Sequence, residues 1–202
     1  MGRPSNRESI LNAGLRVVHE RGFASASVRD IVQAAGVPQG SFINHFGSKE
    51  NFGLQVLNLY YESGSTLIKE TLRNDALPPM KRLRTWVEKS LGSFNQNEEW
   101  NGCLLGNLGA EAGSQTESIQ QRVGEIFADL REHIAYCLRA AVKAGELPAK
   151  TRCTDLAGFI HGSMEGAVLQ AKAERSSEPT ERFKRILFST VLLTKSLKES
   201  RV

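Results

Sequence analysis

The chain has 202 residues, of which 40% are hydrophobic and 24% charged, an ordinary composition for a globular protein of one or two domains. Its three cysteines form no Cys-x-x-Cys pair and have no metal-ligand spacing, so we expect no disulfide framework, metal site or cofactor. No apolar stretch reaches the roughly 18 residues of a membrane span, and the first residues lack the apolar core of a signal peptide. We therefore expect a cytoplasmic protein without membrane contact. The net charge of +4 is compatible with nucleic acid, but residues 1–50 hold six Lys or Arg against four Asp or Glu, a net of only +2.

Residues 27–49 predict two short helices joined by a tight turn. Ser27 can cap the first helix, because Asp30 follows three residues later as in a capping box, and apolar residues then recur at helical spacing. Gly36 can end this helix in a left-handed conformation, and Pro38 fixes φ at the first position of the next one. This layout is typical of a DNA-reading helix-turn-helix, although an αα-hairpin with a polar outer face fits the same pattern.

The second short helix, from 38 to about 45, turns hydrogen-bonding side chains outward from an apolar base. We predict that Gln39 and Asn44 read base edges and that Gly40, Ser41, His45 and Lys49 hold the DNA backbone. A lysine at the start of a helix opposes the helix dipole, so Lys49 predicts a phosphate contact. Arg3 lies in a polar segment before the first helix. Such a segment can be an arm that enters a minor groove or simply a mobile terminus, and the sequence favours neither. The candidate DNA-binding residues are Arg3, Ser27, Arg29, Gln39, Gly40, Ser41, Ile43, Asn44, His45 and Lys49.

A long helix is predicted from 48 to about 72, where a segment with two prolines ends it. Helical periodicity then recurs without a competing strand pattern in five segments, at 80–95, 101–112, 115–145, 154–175 and 179–198. We predict an all-α fold of about nine helices. Its N-terminal three-helix DNA-binding domain covers 1–50, and its helical domain covers 51–202.

Three glycines recur every four residues in the helix predicted at 154–175, at a cost of about 0.8–1 kcal/mol each relative to alanine. A partner subunit's helix, a neighbouring helix or a ligand can approach such a bare stripe, and we favour helix packing. The final helix has an apolar arc that is wide for a solvent-facing helix. The candidate dimer interface is Gly158, Gly162, Gly166, Phe183, Leu187, Val191 and Thr194.

The run from Arg7 to Phe52 resembles the N-terminal domain of TetR-family transcriptional repressors, on residues 10–14, 21–23, 40–42, 44–46 and 48–50. Ile43 departs from the pattern, because the family most often has there a tyrosine that contacts the phosphate backbone. The resemblance implies a homodimer whose two heads bind a palindromic operator in double-stranded DNA, and whose helical body dimerises through its last two helices and binds a small-molecule effector. Candidate effector residues, each of which also fits an ordinary core position, are Trp86, Phe94, Trp100, Phe127, Phe159, His161 and Met164.

Cys103 is a candidate reactive thiol. If Asn101 is the N-cap of the next helix, Cys103 lies in its first turn, where the helix dipole stabilises a thiolate. Residues 102–111 and 169–172 resemble the NemR-like branch of the family, in which a matching cysteine senses electrophiles or oxidants and a matching lysine, here Lys172, can join it. The resemblance implies that modification of Cys103 releases the operator. A buried structural thiol with a solvated Lys172 is the alternative.

Two other functions fit parts of the sequence. A cysteine-dependent enzyme would pair Cys103 with His133 or His161, but it needs an orienting group and an oxyanion site that the sequence does not show. A helical adaptor would use the apolar last helix for a protein partner and would not bind DNA. We therefore expect a regulator and not an enzyme.

Overall fold

The computed structural model describes residues 5–94, 100–111 and 116–192. These residues form α-helices and no β-strand, which confirms the all-α prediction. The helices are α1 (Asn6–Arg21), α2 (Val28–Ala35), α3 (Gln39–Phe46), α4 (Lys49–Glu70), α5 (Pro79–Phe94), α6 (Leu104–Ala110), α7 (Glu117–Lys143), α8 (Cys153–Glu174) and α9 (Glu178–Ile186), followed by a π-helical segment, Leu187–Val191. No described helix is long and apolar enough to span a membrane. Arg3, Thr194 and the ends of several predicted helices lie outside the described residues.

Two helix starts differ from the predicted ones. Pro38 is the N-cap of α3 and not its first residue, because its ψ of 146° is extended. Cys103 is likewise the N-cap of α6, one residue before the helix begins. The prediction that Asn101 caps this helix was wrong, since Gly102 has a φ of +72° and breaks any helical path from Asn101.

The described residues pack into two compact units. The first comprises those of Met1–Gly64 and Cys103–Phe127, and the second those of Ser65–Gly102 and Ala128–Val202. The first unit includes α6 and the beginning of α7 in addition to the N-terminal helices. The division into domains 1–50 and 51–202 stays a prediction.

Three phenylalanine rings form the core of the first unit around α3. Phe42 and Phe46 from α3 and Phe52 from α4 have ring centroids 5.1–5.3 Å apart, and each side chain is at most 2% exposed. Aromatic pairs at this separation contribute about 0.5–1.5 kcal/mol each beyond their buried area. The cluster therefore fixes one side of α3 against α4.

Gly14 allows α1 to approach this cluster closely. A Cβ atom at position 14 would lie 2.2 Å from Cζ of Phe52 and 3.1 Å from Cγ2 of Ile31. Both of these side chains are completely buried, so neither can turn out into solvent. Position 14 therefore has no room for a side chain.

A polar network in the second unit fixes the segment that follows α4. Arg73 Nε donates to Nδ1 of His133 at 2.7 Å, and its guanidinium lies 4.1 Å from the ring centroid of Tyr136. The Tyr136 hydroxyl donates to Asp75 at 2.7 Å, and Asp75 also accepts from the buried Arg82 at 2.5 Å. Burial lowers the pKa of His133, which agrees with a neutral ring whose Nδ1 accepts a hydrogen bond.

We predict that Gly14→Ala destabilises the protein. Overpacking of a filled core costs about 1–3 kcal/mol, which exceeds the gain of about 1 kcal/mol in helix propensity. Gly64→Ala is the matched control, because Gly64 is exposed in α4 and a Cβ there would meet nothing within 4 Å. Thermal unfolding followed by circular dichroism should give a lower midpoint for Gly14→Ala and an equal or higher one for Gly64→Ala. A raised midpoint for Gly14→Ala would contradict the close approach.

Candidate nucleic-acid interface

The turn between α2 and α3 is built from local interactions. The Ser27 hydroxyl accepts from the Asp30 amide at 3.1 Å while the Asp30 carboxylate accepts from the Ser27 amide at 3.0 Å, which is the predicted capping box. Gly36 ends α2 in the left-handed conformation at φ +65°. The Val37 amide donates back to Val32 at 3.1 Å, and Pro38 then directs the chain into α3. The two helices therefore have the predicted helix-turn-helix layout.

The outer side of α3 is exposed because its inner side is held by the phenylalanine cluster. Gln39, Gly40, Asn44 and His45 are exposed, Ser41 is half-buried, and all five are candidate DNA-binding residues. Nothing lies within 4 Å of a Cβ placed on Gly40. The helix therefore presents amide, imidazole and backbone groups on a surface that a major groove can accommodate.

Other candidate DNA-binding side chains have roles inside the fold. Lys49 is half-buried, donates to the Ala24 carbonyl at 3.2 Å and lies 4.8 Å from the centroid of the Phe23 ring. Burial lowers the pKa of the Lys49 ammonium. These contacts give a structural reason for a cation at the start of α4. The Ser27 hydroxyl is occupied by its capping box, whereas Arg29 is exposed.

Cys103 lies against α4 in the first unit. Its side chain is 6% exposed, and the Tyr60 hydroxyl lies 3.9 Å from Sγ. The same hydroxyl accepts from the Leu104 amide at 3.4 Å. Tyr60 was missed by the sequence reasoning, because it lies 43 residues from Cys103 along the chain. Lys172 is half-buried on α8, in the second unit.

Glu111, at the other end of α6, contacts the segment that leads into α2. Its carboxylate accepts from the Ala24 amide at 3.0 Å, and a Cβ on Gly22 would lie 2.4 Å from one of its oxygens. The contact joins residues 87 apart in the chain, so no local sequence signal predicts it. Within the first unit, α6 thus has Cys103 at one end and a contact with the helix-turn-helix segment at the other.

The candidate effector residues differ in exposure. Trp86, His161 and Met164 are buried in the second unit, and burial lowers the pKa of His161 to about 4, so its ring is neutral. Phe159 is 52% exposed and therefore does not line an enclosed cavity of a single chain. The half-buried members are Phe94, Trp100 and Phe127.

The candidate dimer residues also differ in exposure. Gly162 and Gly166 have open space around them, whereas a Cβ on Gly158 would meet the Arg131 side chain at 4.0 Å. Phe183 and Leu187 are at most 9% exposed, because they face the core of their own chain. The large apolar side chains of α8, α9 and the π-helical segment that do reach the surface are Phe159, Leu169, Ile186 and Val191.

An all-helical fold with a polar α3 exposed beside a capped α2 defines the class of helix-turn-helix proteins. Residues 10–55 match the family model "Bacterial regulatory proteins, tetR family". Residues 79–187 match the model "Tetracyclin repressor-like, C-terminal domain". The two matches together cover the helix-turn-helix and most of the helical body.

Known proteins resemble the chain over almost its whole length. It is 32% identical to the HTH-type transcriptional repressor DhaR of Mycobacterium sp. strain GP1, over 95% of both chains. It is 30% identical to the HTH-type transcriptional repressor NemR of Escherichia coli strain K12, over 87% of this chain and 88% of NemR. The crystal structure of regulatory protein TetR from Rhodobacter sphaeroides superposes with a TM-score of 0.84 at 31% identity, over 89% of this chain and 95% of that chain.

The chain belongs to the TetR family of DNA-binding transcriptional regulators, and it is not an enzyme. Family membership implies operator DNA and an effector ligand as partners. NemR is one relative among several, and DhaR is equally similar. The similarity therefore does not place the chain closest to the NemR-like branch.

We predict that Asn44→Ala and Gln39→Ala each weaken operator binding by about 1–3 kcal/mol, the usual contribution of a side chain that reads a base edge. Gln121→Ala is the matched control, because Gln121 is an exposed glutamine on α7. Fluorescence anisotropy with labelled operator and with random duplex measures both affinity and sequence preference. Unchanged operator affinity in both α3 variants would exclude this face of α3 as the reading surface.

Proposed function

We propose that the chain is a homodimeric repressor that reads a palindromic operator with the exposed side of α3. The observation that carries the proposal is the contrast within α3, whose phenylalanines are at most 2% exposed while Gln39, Asn44 and His45 are exposed. Short planar hydrogen-bonding groups on a helix match the donor and acceptor pattern of base edges in the major groove. A two-fold dimer places two such helices on a site with the same symmetry.

The dimer interface of this proposal is the apolar surface on α8, α9 and the π-helical segment. Phe159, Leu169 and Ile186 are 52%, 61% and 48% exposed in the single chain. Gly162 and Gly166 lie exposed between the first two of these along α8, so a second helix can approach its backbone. Several large apolar side chains exposed on neighbouring helices are typical of a protein interface. Phe183 and Leu187 support α9 from the inside of the same chain.

We predict a dimer mass by analytical ultracentrifugation at micromolar concentration, and a monomer mass for Phe159→Arg. A charged side chain buried in an apolar interface costs several kcal/mol when it has no partner. Ala144→Arg is the control, because Ala144 is exposed beyond the end of α7 and lies outside the proposed interface. Circular dichroism verifies that both variants fold. Dimeric Phe159→Arg, or a monomeric parent chain, would rule out this interface.

The regulatory part of the proposal is that an effector or modification of Cys103 releases the operator. Cys103 is 6% exposed, so a group added to its thiol must displace neighbouring groups to reach solvent. Tyr60 and the first turn of α6 lie beside the thiol. A displaced α6 changes the position of Glu111, whose carboxylate holds the Ala24 amide three residues before Ser27, the N-cap of α2.

The other two cysteines differ from Cys103 in their surroundings. Cys137 is buried, donates to the Pro79 carbonyl at 3.2 Å, and has its pKa raised to about 11 by burial. It is therefore a protonated core thiol at neutral pH. Cys153 is half-buried at the first position of α8, so it is the more accessible thiol with which Cys103 can be compared.

We predict that N-ethylmaleimide lowers the operator affinity of the parent chain and of Cys153→Ser by at least tenfold, but leaves Cys103→Ser unchanged. Tenfold corresponds to about 1.4 kcal/mol, which lies within the roughly 1–3 kcal/mol that overpacking costs. Mass spectrometry of the alkylated protein identifies the modified thiol, and anisotropy measures binding. If Cys103→Ser releases the operator as fully as the parent chain does, Cys103 is a structural thiol. A reversible ligand of the helical body would then be the remaining trigger.

A further inference from the structure

Ile43 is the one large apolar side chain exposed in the described part of the helix-turn-helix unit. It is 56% exposed, whereas its neighbour Phe42 on the same helix is completely buried. The other exposed large apolar residues all lie on α8, α9 or the π-helical segment. An apolar contact in the chain itself therefore does not explain an isoleucine at this position.

The neighbours of Ile43 leave its side chain accessible. Side chains of a helix lean toward its N-terminus, so Ile43 projects over positions 39 and 40. Gly40 has no side chain and nothing within 4 Å of where one would begin. Gln39 and Asn44 are exposed on the two sides of Ile43. The isoleucine thus stands between the two side chains that the proposed function assigns to base reading.

The chemistry of the major groove restricts what an isoleucine can contact there. Phosphates and the donors and acceptors of base edges gain nothing from an alkyl side chain. The apolar group that a base pair displays in this groove is the C5-methyl of thymine. Burying one methyl against an alkyl group contributes about 0.8 kcal/mol, which corresponds to about fourfold in affinity.

We propose that Ile43 is a specificity-determining residue that packs on a thymine methyl group in each half-site of the operator. The inference rests on the proposed function, because it requires α3 to enter the major groove. It adds a requirement for thymine at one position of each half-site, next to the base pairs that Gln39 and Asn44 contact. Serine, asparagine or glutamine at position 43 would not impose this requirement.

The test replaces thymine by deoxyuridine, which removes the methyl group and keeps the base pair. An operator is first selected from random duplexes with the full-length chain, and each thymine is then replaced symmetrically in both half-sites. The parent chain should lose about fourfold per half-site, or roughly 15-fold for the dimer, at one thymine position. Replacement of thymines outside the half-sites is the control on the DNA.

The protein variants assign the effect to position 43. Ile43→Ala should bind the thymine operator and the deoxyuridine operator equally. Ile43→Val should keep part of the parent chain's preference for thymine. Both variants should fold, because the side chain is exposed. Equal loss on deoxyuridine in the parent chain and in Ile43→Ala, or no loss at any thymine, overturns the inference while operator binding stands. If Ile43→Ala has a monomer mass while the parent chain has a dimer mass, Ile43 contacts protein and not DNA. This result also overturns the inference. Failure to select any duplex would instead refute the proposed function.

Discussion

The packing of three phenylalanine rings is the constraint on which the proposed DNA-binding surface of α3 depends. Phe42 and Phe46 fix one side of α3 against Phe52 of α4, and Gly14 lets α1 close over the same cluster. Because the buried side of a short helix determines which residues face outward, these rings orient the polar side chains of α3. An eight-residue helix has little stability of its own, so its orientation comes from this tertiary packing.

The same unit contains a physical path for regulation. The short helix α6 contacts α4 near Tyr60 at its start and the segment before α2 through Glu111 at its end. A charge-assisted hydrogen bond to a backbone amide is a specific contact that a small displacement can break. In the proposed mechanism, modification of Cys103 moves α6 and thereby acts on the segment before α2. An effector or a modification can shift the operator affinity only if it binds or fits the DNA-binding state and the released state differently.

The sequence predicted most of the fold where the signals are local. The capping box of Ser27 and the helical spacing of apolar residues act over a few positions, and the structure has both. Contacts between distant parts of the chain could not be predicted, because no local pattern reports that Tyr60 lies beside Cys103 or that Glu111 reaches the helix-turn-helix segment. Lys49 is another example. Its position at a helix start suggests a phosphate contact, but no local pattern reports that its ammonium donates to the Ala24 carbonyl. The apolar arc of the last helix also does not show which of its side chains pack in the core of their own chain and which are exposed. Phe183 and Leu187 are buried, whereas Val191 is exposed.

In the proposed repressor, the exposed side of α3 lies in the major groove in two symmetric half-sites. Dimethyl sulfate interference on a selected operator tests it directly, because the reagent methylates guanine N7 in the major groove and adenine N3 in the minor groove. Guanine methylation should block binding in two half-sites separated by about one helical turn or a multiple of it. Interference confined to adenines of the minor groove, or to a single half-site, would contradict it.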